Sequence, residues 1–251
     1  MAPRQIDEQT LQQREQEILD SALKLISEQG VEGLTMDKLV REVPYSKGTV
    51  YGHFAGKEDL LLALCNRGMS FLVDYFRRAF EYNGSTRERM VVLMFAYLIY
   101  SQLHPILFSL VITAKSPGNM EKASPKHREI HEERERLLFA SVGGIIQEAL
   151  DNGDCVNPNG LTLEEIAFTG WSSTFGAITL LSRSDDKCVV RGGLCPQESI
   201  MTSVHTVMDG MQWLPLCRDF DFSQTVEQLK SGEFAKEVQI LMDRFNCENE
   251  S

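Results

Sequence analysis

The sequence predicts an all-α protein in which a small N-terminal helical domain precedes a larger helical domain. Three observations support this prediction. Apolar residues recur at helical spacing along most of the 251 residues, no segment shows sustained apolar–polar alternation, and turn-forming residues separate segments of helix length. With 43% hydrophobic and 24% charged residues, the chain has enough apolar side chains to bury a core, which excludes disorder of the whole chain.

The N-terminal part predicts four helices. The first runs from about Thr10 to Gln29, and Gly30 suits the position that follows a helix end. Two short helices follow, Thr35 to Val43 and Ser46 to Phe54, joined by the turn Val43-Pro44-Tyr45. A longer helix from Lys57 to Glu81 ends before an Asn-Gly-Ser turn.

The remaining chain predicts further helices at about 86–103, 105–114, 126–152, 162–183, 197–214 and 223–246. Lys115 to Pro125 contains two prolines and a glycine and is expected to be a mobile loop. Ser184 to Pro196 is a second turn-rich loop. We therefore expect domains at residues 1–57 and 58–251.

The net charge of −11 argues, taken as a total, against a nucleic-acid-binding protein. The charge is unevenly distributed, however. Residues 35–57 contain four cations and two anions, whereas residues 81–251 contain 15 cations and 24 anions. Since charges act over a Debye length of about 8–10 Å, a locally basic segment still permits contact with phosphates.

The cysteines and the N-terminus predict a cytoplasmic protein. The first 30 residues contain no secretory signal, and the six cysteines form no Cys-x-x-Cys pair, so neither a zinc framework nor a disulfide network is expected. Cys188 and Cys195 share one loop, and a redox pair is the alternative to reduced thiols there.

An uncharged segment from Met90 to Ala114 raises the alternative of a membrane helix. A span needs about 20 mainly apolar residues, and the longest apolar stretch, Met90 to Tyr100, is shorter. Polar residues and Pro105 follow it. Two buried helices that meet at a bend are therefore expected, without membrane contact.

The two short helices have the length and spacing of a helix-turn-helix, whose second helix enters the major groove. Thr35 and Ser46 are expected to cap the first and the second helix. Met36, Leu39 and Val40 of the first helix, and Val50 and Phe54 of the second, would face the core. The alternative is a plain helical hairpin with an exposed polar face.

The second helix carries side chains suited to DNA. Lys47 supplies a cation, Gly48 leaves room for close approach, and Thr49 offers a hydroxyl and a methyl group to base edges. Tyr51, His53 and Lys57 remain for the DNA-facing side, where each can donate to phosphates.

The runs GVEGLTMDKLV (30–40) and YSKGTVYGHFAGKEDLL (45–61) resemble the DNA-binding domain of the TetR family of bacterial transcriptional regulators, over about residues 15–65. The resemblance implies a homodimer that binds a palindromic operator. It implies that Tyr45, Lys47, Gly48 and Thr49 approach bases, and that the following residues contact the DNA backbone: Thr35, Ser46, Tyr51, His53 and Lys57. Pro44 and Gly52 depart from the family pattern, and Gly52 removes a possible DNA contact.

The resemblance further implies that the larger domain dimerises and, in many members, binds an effector. Aromatic and methionine side chains around a few polar groups favour a pocket for a small, largely apolar effector. The candidate lining residues are Met94, Phe95, Leu98, Gln102, His104, Phe108, Phe139, Trp171 and Phe175. The alternative is an ordinary core. Helices 162–183 and 197–214 are the expected dimer face, where Gly170 and Gly176 permit close approach.

His127 and His131 lie one helical turn apart, which is a spacing for metal ligands, but the charged residues around them favour a solvated face. No nucleophile motif or phosphate loop occurs in the sequence, so neither enzyme activity nor a cofactor is expected. The sequence predicts a repressor that an effector releases from double-stranded DNA. The alternative is a TetR-like protein without a small-molecule effector, acting as an activator or through a protein partner.

Overall fold

The computed structural model describes residues 7–181 and 193–249. Helices account for most of this part of the chain, and its only β-type pairing is an isolated bridge between Cys155 and Trp213. The helices are α1 (Glu8–Gly33), α2 (Met36–Glu42), α3 (Lys47–His53), α4 (Lys57–Glu81), α5 (Thr86–Leu103), α6 (Pro105–Ala114), α7 (Pro117–Lys122), α8 (Pro125–Asn152), α9 (Leu163–Leu181), α10 (Pro196–Gly210), α11 (Phe222–Ser231) and α12 (Ala235–Asn249). The predicted all-α class is confirmed.

The ends of α1 follow from its sequence. Asp7 caps the helix by accepting a hydrogen bond from the Thr10 amide. Gly30 has φ 71° and ψ 171°, a conformation open to glycine, so the regular helix is interrupted close to the predicted end. The last residues up to Gly33 form a separate short turn of helix.

Two predictions of local structure were wrong. The expected loop from Lys115 to Pro125 contains α7, which begins with Pro117 in its first turn, where proline is compatible with a helix. The expected helix at 223–246 is two helices, α11 and α12. They separate at Gly232, where a Cβ atom would lie 2.8 Å from the Gln228 carbonyl oxygen, so the backbone there excludes other side chains. The loop expected at 184–196 lies largely outside the described residues, as does Cys188.

The chain forms two compact units, and each is discontinuous in sequence. The first comprises residues 1–70 and 104–134, and the second comprises 71–103 and 135–251. α4 and α8 each have residues in both units. The boundary expected after residue 57 stays a prediction.

The core of the second unit is formed around α5, whose apolar residues from Met90 to Tyr100 are all buried. α5 contacts α9, α10, α11 and α12. The charge-free sequence from Met90 to Tyr100 therefore reflects burial within a helical domain. No single helix among the described residues is long and apolar enough to cross a membrane, although α5 and α6 together, broken at His104, have the length and composition of a bent span.

A buried arginine fixes the start of α5. The Arg87 side chain is fully buried, and its Nη2 lies 2.6 Å from Asp209 Oδ1. Its Nη1 donates to the Trp213 carbonyl oxygen, and its guanidinium carbon lies 4.9 Å from the centre of the Phe222 ring. One side chain thus connects α5 with α10, α11 and the segment between them.

Candidate nucleic-acid interface

α2 and α3 form the predicted helix-turn-helix. Both predicted caps are confirmed: the Thr35 hydroxyl accepts from the Lys38 amide at 3.3 Å, and the Ser46 hydroxyl accepts from the Thr49 amide at 3.1 Å. Leu39, Val50 and Phe54 are fully buried, as their spacing predicted. Burial of one face of α3 leaves its opposite face and its capped N-terminus in solvent.

The exposed face of α3 presents a short set of groups suited to DNA. The Lys47 side chain is 64% exposed, and its Nζ lies 3.0 Å from Asp37 Oδ1 and 5.5 Å from the centre of the Tyr51 ring. The hydrogen bond with Asp37 raises the pKa of Lys47, which keeps it cationic. Nothing lies within 4 Å of a Cβ atom built on Gly52. The face is therefore narrow, with one cation and one aromatic hydroxyl beside Gly48 and Thr49.

Tyr45, in the turn before α3, is held by α1. Its hydroxyl donates to the Glu17 carboxylate, and the Arg14 guanidinium lies 5.7 Å from the centre of its ring. The hydrogen bond with Glu17 raises the pKa of Tyr45, so the phenol stays protonated. This contact fixes the orientation of the Tyr45 side chain. Because its hydroxyl already donates to Glu17, that proton is not available to a base or a phosphate.

Two residues that were predicted to contact phosphates, His53 and Lys57, do not contribute to the exposed face of α3. The His53 side chain is 9% exposed, and its Nδ1 lies 3.7 Å from Glu15 Oε2 on α1. Lys57 Nζ donates to the Val31 carbonyl oxygen at 2.8 Å. Both side chains are directed towards oxygen atoms of the protein itself. The groups that remain in solvent are those of Lys47, Gly48, Thr49 and Tyr51, next to the two capping hydroxyls.

A polar cluster beneath α3, which the sequence did not predict, is formed by Glu15, His53, Asp59, Lys126 and His127; we call it the Glu15 cluster. Asp59 and His127 are each 1% exposed, and His127 Nδ1 lies 2.7 Å from Asp59 Oδ1. Glu15 lies 3.9 Å from His127 Nε2 and 2.5 Å from Lys126 Nζ. The cluster thereby connects α1, the end of α3, the start of α4 and the start of α8, all within the first unit.

Charge and hydrogen bonding in the Glu15 cluster favour ionised groups. The nearby His127 imidazole, followed by the Lys126 ammonium, holds the pKa of Glu15 at about 2. Burial by itself would raise the pKa of Asp59, but hydrogen bonds from His127 and from the amides of Ala55 and Ser124 hold it well below its usual range. Burial by itself would lower the pKa of His127, yet its two carboxylate partners raise it. The cluster is therefore a set of charged, largely buried side chains that links the helices beneath the helix-turn-helix.

The prediction that His127 and His131 belong to a solvated face was wrong. Both are 1% exposed, because each imidazole has a polar partner inside the first unit. His127 Nδ1 contacts Asp59, whereas His131 Nδ1 lies 2.8 Å from Asn66 Oδ1. Within residues 7–181 and 193–249, no group of three or more metal-ligating side chains is found.

Three candidate pocket residues lie together. Phe95, Leu98 and Gln102 of α5 line a cleft of about 620 Å³ in the second unit, which α10, α11 and α12 complete. We call it the C-terminal cleft. The sequence did not indicate that α11 and α12 form its walls, because the helix predicted at 223–246 was a single element.

The other candidate pocket residues do not line the C-terminal cleft. Met94 lines a separate cavity of about 20 Å³, which is too small for an effector. Phe139 and Trp171 are 42% and 39% exposed on α8 and α9, and Phe175 lies near Trp171, with ring centres 5.9 Å apart. The remaining candidates, His104 and Phe108, belong to the first unit.

The fold and the capped, exposed α3 define a helix-turn-helix protein with an additional helical domain. The family described as bacterial regulatory proteins of the tetR family matches residues 18–64. Residues 18–64 are therefore similar to the TetR family, in the part of the chain where the sequence resemblance predicted it. The match covers the capped helices, the exposed face of α3 and Asp59.

Known proteins agree with this identification. An HTH-type transcriptional regulator of Staphylococcus aureus strain MRSA252 is 29% identical over 96 residues, which are 38% of this chain and 52% of that protein. The chain thus spans about half the length of this curated relative.

Solved structures extend the likeness of fold to the second unit. The TetR family regulator PfmR from Thermus thermophilus has a TM-score of 0.57 at 19% identity, covering 76% of this chain and 97% of that one. FadR from Bacillus subtilis, solved in complex with stearoyl-CoA, has a TM-score of 0.59 at 16% identity, covering 78% and 98%. At these identities the likeness shows the fold alone.

Proposed function

We propose that the protein is a cytoplasmic transcriptional repressor, without enzyme activity, that binds a palindromic operator through α3. The observation that carries this proposal is the solvent-exposed face of α3, where Lys47, Gly48, Thr49 and Tyr51 adjoin the Ser46-capped helix start. A cation, a small residue and a hydroxyl–methyl pair are the groups that read base edges and bind phosphates. The acidic remainder of the chain repels DNA and makes non-specific binding unfavourable. Affinity for DNA therefore depends on a few contacts and falls as the salt concentration rises.

The proposed dimer uses α9. This helix exposes three large apolar side chains, Phe168 at 62%, Trp171 at 39% and Leu180 at 61%. Phe168 and Trp171 lie one helical turn apart with ring centres 6.1 Å apart, and an exposed apolar patch of this kind is typical of a protein interface. A second copy of the chain covers this patch in this proposal, and the operator of such a dimer would have half-sites about 34–36 Å apart, one turn of DNA.

The proposed effector is small and largely apolar. The C-terminal cleft, at about 620 Å³, falls within the usual range of small-ligand pockets, about 300–1,000 Å³. The fold neighbour FadR carries stearoyl-CoA, which supports an effector with an apolar chain. Effector binding would favour a conformation whose two α3 helices no longer match the operator.

Selection of bound fragments from the source organism's own DNA tests this proposal. The full chain should enrich fragments that share an inverted repeat, and retardation of such a fragment should survive an excess of unrelated duplex. Release of this DNA by an apolar small molecule would support an effector, whereas transcription that rises with the protein bound would favour the activator alternative. Enrichment of no common sequence would refute the proposal.

The ion pair between Lys47 and Asp37 gives a specific prediction. Asp37→Asn should raise the affinity for any duplex about two- to five-fold, because it frees the Lys47 ammonium and removes an anion beside α3. The measurement is fluorescence anisotropy with a labelled duplex. Glu28→Gln, an exposed position on α1, changes the net charge equally and is the control. Equal effects of the two substitutions would show that Asp37 acts only through the total charge.

A further inference from the structure

The chemistry of the C-terminal cleft restricts its ligand. Its walls are mainly apolar, with Leu98 and Leu241 buried and Met242 53% exposed near the surface. The flexible side chains of Met201 and Met242 can adapt to an apolar body of variable shape. The polar groups between these walls therefore decide which head group the cleft accepts.

The charges on the cleft sum to a single negative charge. Lys230 is the cation among the described lining residues, and its Nζ lies 2.7 Å from Glu227 Oε1, so it is already paired. Glu198 lies in the first turn of α10, where the helix dipole stabilises a carboxylate, and forms no ion pair with a described residue. On the described walls, a ligand in the cleft thus meets the solvent-exposed Glu198 carboxylate and a lysine that is already paired.

A histidine in the same wall has an unused hydrogen-bonding atom. Nδ1 of His205 is buried and has no hydrogen-bond partner among the described residues. The His205 ring lies against Phe222, with centres 5.0 Å apart, and burial, followed by the nearby Arg87 charge, lowers the pKa of His205. A neutral imidazole adds no positive charge to the cleft and leaves a buried polar atom that a ligand group can satisfy.

We propose that the C-terminal cleft binds an amphipathic cation, an apolar body with an amine whose charge pairs with Glu198. This inference rests on the proposed ligand-responsive function and specifies its ligand. It also distinguishes the cleft from a site for an acyl-CoA or a fatty acid, because an anionic head would face Glu198 with no free cation on the described walls.

Isothermal titration calorimetry of the full chain, without DNA, tests the inference. The three probes have equal chain length and are used below their critical micelle concentrations: decylamine, decanol and decanoate. Decylamine should bind about ten-fold more tightly than decanoate, because one head group is attracted by a carboxylate and the other repelled. Glu198→Gln should reduce decylamine affinity to that of decanol. Glu164→Gln, which removes an exposed carboxylate in the first turn of α9, is the control and should change nothing.

A filling variant shows whether the probe occupies the cleft. Met201→Trp should weaken all three probes, since the larger side chain fills the space between α10 and α11. Decanoate binding as tightly as decylamine, an amine preference that survives Glu198→Gln, or binding unaffected by Met201→Trp would each overturn the inference. Failure of the DNA-binding proposal is separate, because it appears in DNA retardation and not in these titrations.

Discussion

Replacing Asp59 with alanine is expected to lower the free energy of unfolding by about 3–5 kcal/mol, as removal of one member of a buried ion pair does. Asp59 is 1% exposed and accepts hydrogen bonds from the amides of Ala55 and Ser124, both at 2.9 Å, besides its contact with His127. Alanine would leave two part-buried amides without their acceptor and the buried His127 without its nearer carboxylate partner. Urea denaturation followed by circular dichroism measures the change.

The loss should depend on pH in a defined direction. The folded-state pKa of His127 is raised, so its contribution is complete below the unfolded value of about 6.5 and disappears as pH rises through the folded value. Glu15 and Asp59 have lowered pKa values, so their contributions hold above about pH 4.5 and are lost on further acidification. The cost of Asp59→Ala should therefore be greatest between these limits.

Glu58 provides the matched control on the same helix turn. Its carboxylate is 35% exposed and pairs with Lys122, which is 67% exposed, so Glu58→Ala should cost less than about 1 kcal/mol. Asp59→Ala could instead lower the free energy of unfolding no more than Glu58→Ala does, or by the same amount at every pH. Either result would show that charge pairing in the Glu15 cluster does not stabilise the fold.

Replacing Arg87 with methionine is expected to lower the free energy of unfolding by about 3 kcal/mol. Methionine fills the space of the side-chain stem but leaves the Trp213 carbonyl oxygen without this donor and Asp209 with only the Cys217 amide. Asp209 is 37% exposed, so water can satisfy part of its carboxylate, and the effect stays below that of a fully buried pair. Thermal or urea unfolding measures it.

Arg77 is the control for this substitution. It forms ion pairs with Asp74 and Glu81, but its side chain is 54% exposed. Arg77→Met should therefore change the free energy of unfolding by less than about 1 kcal/mol. Similar costs for the two methionine variants would mean that burial does not determine the contribution of Arg87.

Local chemistry made the helix-turn-helix predictable from sequence. Thr35 and Ser46 precede short apolar repeats, and a capping hydroxyl acts within three residues of its own position. The buried faces of α2 and α3 follow from helical spacing in the same way. Such signals need no knowledge of distant parts of the chain.

The missed features depend on partners far apart in sequence. His127 lies among charged residues, and only its contact with Asp59, 68 positions earlier, shows that it is buried. His53 is directed towards Glu15 for the same kind of reason. The division between α11 and α12 had a local signal, Gly232, but a glycine inside a helix is tolerated often enough that periodicity outweighed it.

Sequence-specific DNA binding by α3 is tested most directly by the ratio of affinities for the selected operator and a scrambled duplex. Fluorescence anisotropy at several salt concentrations should give a ratio of at least about 10³ for the wild type. Lys47→Ala should weaken both duplexes and reduce the salt slope by about one unit per chain, whereas Thr49→Ala should lower the ratio. Equal wild-type affinity for the two duplexes, or a ratio that neither variant changes, would show that α3 does not read a DNA sequence.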